Sequence, residues 1–290
     1  MTLAVQPFPR KVRFILDTVK LEHSVFMLPF AYTGMVLAAG GFPTWWQFFW
    51  ITIAMVAART LGFCANRVLD REIDAVNPRT AQRHLVAGRL KPIDLIATGA
   101  IALGIFLLAA AELNPMSLML APIAAFIVVG YSYTKRFTWT TNLIFGLADG
   151  LAVAGGWVGV SGSVSWNLAL LYAATVAWVI GFETLQECRD TDFIRAHGLY
   201  SVPARWGIAA ALRLSQAMYT LAICGLVLVG LLLGVHWPFY VGLAGAAALL
   251  AYQHVIVRPN DLSRAGYAFF PINGYVSATV FAFTLLAFVF

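Results

Sequence analysis

Apolar residues fill this chain in long blocks, and polar residues are confined to the gaps between them. A helix that crosses a bilayer needs roughly 17–25 mostly apolar residues. Blocks of that length predict nine transmembrane helices, at 24–40, 46–66, 93–112, 115–133, 139–161, 167–187, 208–233, 237–257 and 268–290. The gaps alternate in character. Those near 41–45, 113–114, 162–166 and 234–236 are short and hold no Lys or Arg, whereas those near 67–92, 134–138, 188–207 and 258–266 hold most of the basic residues. Arg10, Lys11, Arg13 and Lys20 precede the first block, and Arg213 lies near the start of the seventh. Threading nine helices back and forth puts all of these cations on one side, with Arg59, inside the second block, as the exception. Positively charged loops stay in the cytoplasm. The N-terminus is therefore expected inside and the C-terminus outside, in a multi-pass protein of the cell membrane. Trp45, Trp46, Trp166 and Trp237 fall near the uncharged ends, where interfacial aromatics belong. The expected fold class is an all-α integral membrane protein, with one domain over 1–290.

Composition agrees with this pattern. Of the 290 residues, 61% are hydrophobic and 11% charged, against about 25% charged in a soluble domain. The net charge of +6 is accounted for by the one-sided loops, so nothing points to nucleic acid, and nothing points to an obligate protein partner. Cys64, Cys188 and Cys224 are odd in number and widely spaced, which excludes a disulfide framework and a zinc site. No small-residue cleavage site follows a short apolar stretch, so no cleaved signal peptide is expected.

Acidic side chains at a membrane helix are costly and mark function. Asn66, Asp70 and Asp74 recur every fourth residue at the basic-loop end of the second predicted helix. That spacing sets them on one helical face, with Arg59 on the same face. Two carboxylates and an amide oxygen in a row suit a hard divalent cation such as Mg2+, which keeps open positions for substrate phosphates. A solvated helix end paired with Arg67 and Arg71 is the plainer alternative. A second group, Glu183, Glu187, Asp190 and Asp192, ends the sixth predicted helix, with the first three again on one face. Basic loops follow both groups: Arg79, Arg83, Arg89 and Lys91, then Arg195 and Arg205, while Lys135 and Arg136 form a third. Carboxylates and cations at one mouth are what a metal-bound diphosphate requires.

These residues resemble the UbiA superfamily of intramembrane prenyltransferases. Asn66, Asp70 and Asp74 match its N-x-x-x-D-x-x-x-D motif. The stretches Asn77 to Arg83, Ala87 to Leu90, Tyr131 to Arg136, His197 to Arg205, Leu21 to Phe26 and Gly146 to Gly162 are similar to the bacterial 4-hydroxybenzoate polyprenyltransferase branch. The resemblance implies nine helices around a central cavity. It also implies transfer of a polyprenyl chain from its diphosphate to an aromatic acceptor, foremost 4-hydroxybenzoate in quinone biosynthesis, with naphthoate, homogentisate, a tetrapyrrole or a sugar phosphate as other acceptors. Carried over residue by residue, Asn66, Asp70, Asp74 and Asp190 hold Mg2+, and the three aspartates are catalytic. Arg59, Arg71, Arg79, Tyr131, Lys135, Arg136, Asp149 and Glu183 bind substrates, and Tyr131 and Tyr133 are the aromatics offered to an allylic cation. The chain departs from the second motif, D-x-x-x-D: Asp190 matches its first position, but Ile194 occupies the second and cannot bind a metal. Glu183 stands for an upstream Asp, Gln186 for a Tyr and Glu187 for a small residue. Asp192 and Glu187 are the candidates for the missing carboxylate.

A membrane transporter is the alternative from another class, and charges at the membrane edge rather than deep in the helices weigh against it. A phospho-alcohol transferase needs D-G-x-x-A-R, whereas Asp149-Gly150 is followed by Leu151-Ala152-Val153-Ala154.

Overall fold

The computed structural model describes residues 8–290, with side chains for 10–20 and from 27 onward. The side chains of Leu21 to Phe26, part of the family-like pattern, lie outside the described residues. The elements are helices: α1 Phe8–Val19, α2 Leu21–Ala39, α3 Trp45–Leu69, α4 Arg71–Val76, α5 Pro92–Leu113, α6 Pro115–Gly130, α7 Thr141–Ser161, α8 Trp166–Glu187, α9 Thr191–Ala196, α10 Val202–Trp206, α11 Ile208–Leu233, α12 Trp237–Ile256, α13 Ala265–Tyr267 and α14 Asn273–Leu286. Tight 3-10 turns over Tyr131–Arg136 and Cys188–Asp190 extend α6 and α8, and a π turn over Ala268–Ile272 leads into α14.

Eight of these segments are long and apolar enough to cross a membrane, and the apolar stretch Met27–Ala39 of α2 is shorter. The chain is therefore a multi-pass integral membrane protein. Its outer surface agrees: Ile101, Met119, Phe126 and Leu231 are more than half exposed, which only a lipid solvent makes favourable. Trp45, Trp166 and Trp237 are largely exposed, each as the first residue of its helix.

Local chemistry sets the helix ends. Thr44 opens α3 in a capping box with Gln47, Ser165 caps α8 through the amide of Leu168, and Asn114 ends α5 and caps α6 through Ser117. A one-residue connection of that kind forces α5 and α6 to pack antiparallel.

Close packing depends on small residues, because lipid offers no hydrophobic drive between helices. A Cβ on Gly156 of α7 would collide with the carbonyl of Ala31 on α2, and one on Gly34 of α2 with the carbonyl of Val153 on α7. These glycines let the two backbones touch. Helix α8 is the centre of the bundle, with 67% of its apolar window buried. Its Trp178 stacks on Phe30 of α2 at 4.3 Å.

Three features differ from the sequence pattern. The basic segment before the first predicted span is itself a helix, α1, with Lys11 tied to Asp94 of α5 at 2.6 Å. The stretch 67–92 holds a helical turn, α4. The last predicted span is broken near its start by the π turn, because Pro271 has no N–H to close the α-helical ladder.

Candidate active site

A cavity of about 450 Å³ opens between α3, α5, α6, α7 and α8. That is within the size of small-molecule sites. Its deep walls are apolar, from residues such as Met55, Phe106, Leu120 and Leu151, and its polar end carries Arg59, Arg67, Arg79, Arg83, Asp149, Glu183, Gln186, Glu187 and Asp190.

The first acidic group straddles the junction of α3 and α4. Asp70 is the hinge residue, yet its amide still bonds to the Asn66 carbonyl (2.9 Å) and its carbonyl accepts from the Asp74 amide (2.8 Å). The four-residue spacing therefore survives the junction. All three side chains are engaged. Asn66 donates to Asp70 Oδ2 (2.6 Å) and Ser132 Oγ (3.1 Å), and its own oxygen accepts from Arg67 (2.7 Å). Asp70, 1% exposed, pairs with Lys135 and lies 3.5 Å from Arg136. Asp74 pairs with Arg83, and its carbonyl accepts from Thr80. These three do not line the cavity; Arg67 and Arg83, which contact them, do.

The second group lies across the mouth. Glu183, Glu187 and Asp190 line the cavity, whereas Asp192 is exposed and outside the lining. Between the two candidates for the missing carboxylate, only Glu187 faces the cavity. Arg79 forks onto Asp190, Nε to Oδ1 at 3.1 Å and NH2 to Oδ2 at 2.6 Å, and so joins the loop after α4 to the end of α8.

Deeper in the wall, Arg59 of α3 grips both oxygens of Asp149 on α7, at 2.7 and 3.0 Å. Tyr131 lines the cavity, edge-on to Phe145 (5.1 Å). Tyr133 is half exposed under Arg136 and outside the lining, and Arg71 is exposed and also outside it. Lys135 and Arg136 reach the site through Asp70 rather than through the wall. Sequence spacing gave no role to Ser132 or Phe269: Ser132 lies within the family-like stretch Tyr131 to Arg136 but meets Asn66 only where α3 packs on that turn, and only the packing of distant helices brings Phe269 into the lining.

The donor set fits a hard divalent ion. Asp70 Oδ1 and Glu187 Oε2 are buried oxygens without a hydrogen bond, and the remaining donors are amide and carboxylate oxygens. Among the described residues, no three acidic, His or Cys side chains already converge on one point, since Lys135, Arg83 and Arg79 hold Asp70, Asp74 and Asp190.

The pattern of the UbiA prenyltransferase family matches residues 27–288. A 4-hydroxybenzoate octaprenyltransferase of Cupriavidus necator is 31% identical over 257 residues, covering 88% of each chain. Its namesake in Xylella fastidiosa is 30% identical over 255 residues, 87% of this chain and 83% of that one. The solved structure of a UbiA homologue from Aeropyrum pernix K1 superposes with a TM-score of 0.84 at 32% identity, over 92% of this chain and 98% of that one. A UbiA homologue from Archaeoglobus fulgidus, solved with GPP and Mg2+, has a TM-score of 0.71 at 18% identity, over 96% and 100% of the two chains, and shows the shared fold alone. Helices, acidic mouth and relatives agree: the chain belongs to the UbiA prenyltransferase family.

Proposed function

We propose that the chain transfers the polyprenyl group of a polyprenyl diphosphate to 4-hydroxybenzoate, with Mg2+, from the cytoplasmic face of the cell membrane, as one domain of nine spans. One observation carries the reading: an apolar cavity ends in a mouth lined by Glu183, Glu187, Asp190, Arg79 and Arg83, with Asp74 paired to Arg83, and Asp70 to Lys135, behind that lining. The names of the relatives support the acceptor.

Asn66, Asp70, Asp74 and Asp190 would hold the ion, which supplies Lewis-acid charge to the departing diphosphate. Arg79, Lys135 and Arg136, with Arg71 at the rim, bind the diphosphate oxygens and balance their charge. The apolar walls take the isoprenoid and exclude water, which would otherwise quench an allylic cation. The Tyr131 ring, in the wall, offers such a cation its face, a contact of roughly 0.5–2 kcal/mol. Glu183 lies on the diphosphate side, and Arg59, held by Asp149, orients the acceptor. The allylic C–O bond breaks with its electron pair on the diphosphate. The ring carbon ortho to the hydroxyl then forms the new C–C bond, and the ring proton is lost.

The test is a product assay by mass spectrometry on membranes given geranyl diphosphate, 4-hydroxybenzoate and Mg2+, with an EDTA control. Metal-dependent prenylated benzoate is the expected result. Diphosphate release without that product points to another acceptor. Solute uptake by sealed vesicles without any covalent product would replace the reading with transport.

A further inference from the structure

Away from the acidic mouth, four helices meet on one asparagine. Asn273 opens α14 and is 0% exposed. Its oxygen accepts from Trp178 Nε1 of α8 (3.0 Å) and from Gln253 Nε2 of α12 (3.2 Å). Tyr219 of α11 donates to Gln253 Oε1 at 2.7 Å. The Asn273 amide nitrogen donates to the carbonyls of Ala268 (3.2 Å) and Phe269 (2.8 Å). Every hydrogen bond the amide can make is thus used. Buried polar groups in an apolar bundle are tolerated only when paired, and a fully satisfied network fixes one geometry.

The geometry it fixes is the π turn Ala268–Ile272. With no N–H at Pro271 the ladder widens, and Asn273 takes up the carbonyls of Ala268 and Phe269. Such turns recur at functional sites. Here the turn carries Phe269 into the wall of the cavity that Glu183, Gln186 and Asp190 also line. The ring meets Phe182 edge-on, centroids 5.6 Å apart. Phe182 precedes Glu183 on α8 and lies eight residues before Asp190, so the ring sits roughly 12 Å of helix rise inside Asp190, past the carboxylates.

We propose that Phe269 is a further residue of the transfer site, the wall that keeps water off the allylic carbon, and that Asn273 positions it through the π turn. This rests on the transfer reading above. With the diphosphate at the mouth, the first carbons of its chain pass Phe269. After the C–O bond breaks, two nucleophiles compete for that carbon. Attack by the ring carbon gives the prenylated acceptor and a proton. Attack by water gives the allylic alcohol and a proton. Each course releases one diphosphate.

The experiment uses the full chain in lipid nanodiscs with geranyl diphosphate, 4-hydroxybenzoate and Mg2+, and measures alcohol and prenylated benzoate per diphosphate released. That ratio does not depend on how much of the protein is folded, so it separates positioning from stability. Phe269→Ala is expected to raise the ratio of alcohol to product about tenfold, Phe269→Leu less, and Phe269→Tyr to keep the wild-type ratio. Asn273→Ala should shift it in the same direction as Phe269→Ala. An unchanged ratio in Phe269→Ala and Phe269→Leu, with an active wild type, overturns the proposal alone. An unchanged ratio in Asn273→Ala alone removes the positioning role. A wild type that releases no diphosphate overturns the transfer reading and this proposal with it.

Discussion

Asp149 and Arg59 show what one residue can and cannot reveal by itself. An acid between helical glycines is visible in the sequence as an anomaly, and so is a lone arginine inside an apolar block. That the two answer each other is not visible, because they are 90 positions apart and meet only where α3 packs on α7. Their side chains are 15% and 10% exposed. Removing one partner of such a buried pair leaves an uncompensated charge, at about 3–5 kcal/mol, whereas replacing both with apolar residues is close to neutral. Arg59→Leu and Asp149→Leu are each expected to lower the unfolding temperature in detergent markedly, and the double variant to recover most of the loss. Additive losses would mean that the two charges are not coupled. The proposed metal-site residues follow the same logic. Asn66, Asp70 and Asp74 are legible because their spacing of four matches the helical turn. Their counter-ions Arg83 and Lys135 are not, because nothing in the local pattern says which of many loop cations closes on which carboxylate.

At the scale of elements, eight of the nine predicted blocks coincide with segments long enough to span, the first being shorter over the described residues Met27–Ala39, and the other departures have local causes. The π turn follows from Pro271 and from the partners of Asn273, which lie on other helices. Helix α1 was hidden because a half-polar helix on a surface lacks the long apolar run that marks a span. It is held to the loop after α4 by Phe14, stacked on His84 with centroids 4.6 Å apart, and by Asp17, 3.6 Å from the His84 ring. Burial, with Arg89 beside it, lowers the His84 pKa below its ordinary 6.5, against the pull of Asp17. A depressed histidine stays neutral in the docked state, while the undocked state takes up a proton first. Docking is therefore at full strength above about pH 6.5 and is lost as pH falls below it. Protection factors across Phe8–Val19, corrected for the intrinsic pH dependence of exchange, should fall between about pH 7 and pH 5, and His84→Gln should remove that dependence. Protection that is flat with pH in the native chain would exclude this role.

For the whole molecule, the proposed orientation rests on the placement of the cations. The loop between α7 and α8 has no Lys or Arg, whereas the loop after α12 carries Arg258 and Arg264. In a Cys224→Ser background, a cysteine at the exposed position 163 is expected to react with an impermeant maleimide on intact cells. One at the exposed position 260 should react only after lysis. The reverse pattern would invert the proposed topology. The sequence alone determined the solvent of this protein, the place of eight of its long apolar helices and the first acidic motif. Each is written in residues close along the chain, through hydropathy, the helical period of 3.6 and local capping. Only the tertiary structure decided which cations close on which carboxylates and that Glu187 rather than Asp192 faces the cavity. It alone also placed Phe269 in the wall. These depend on helices far apart in the chain approaching one another, and lateral approach in a bilayer is set by side-chain fit, such as Gly156 against Ala31, which no local pattern encodes.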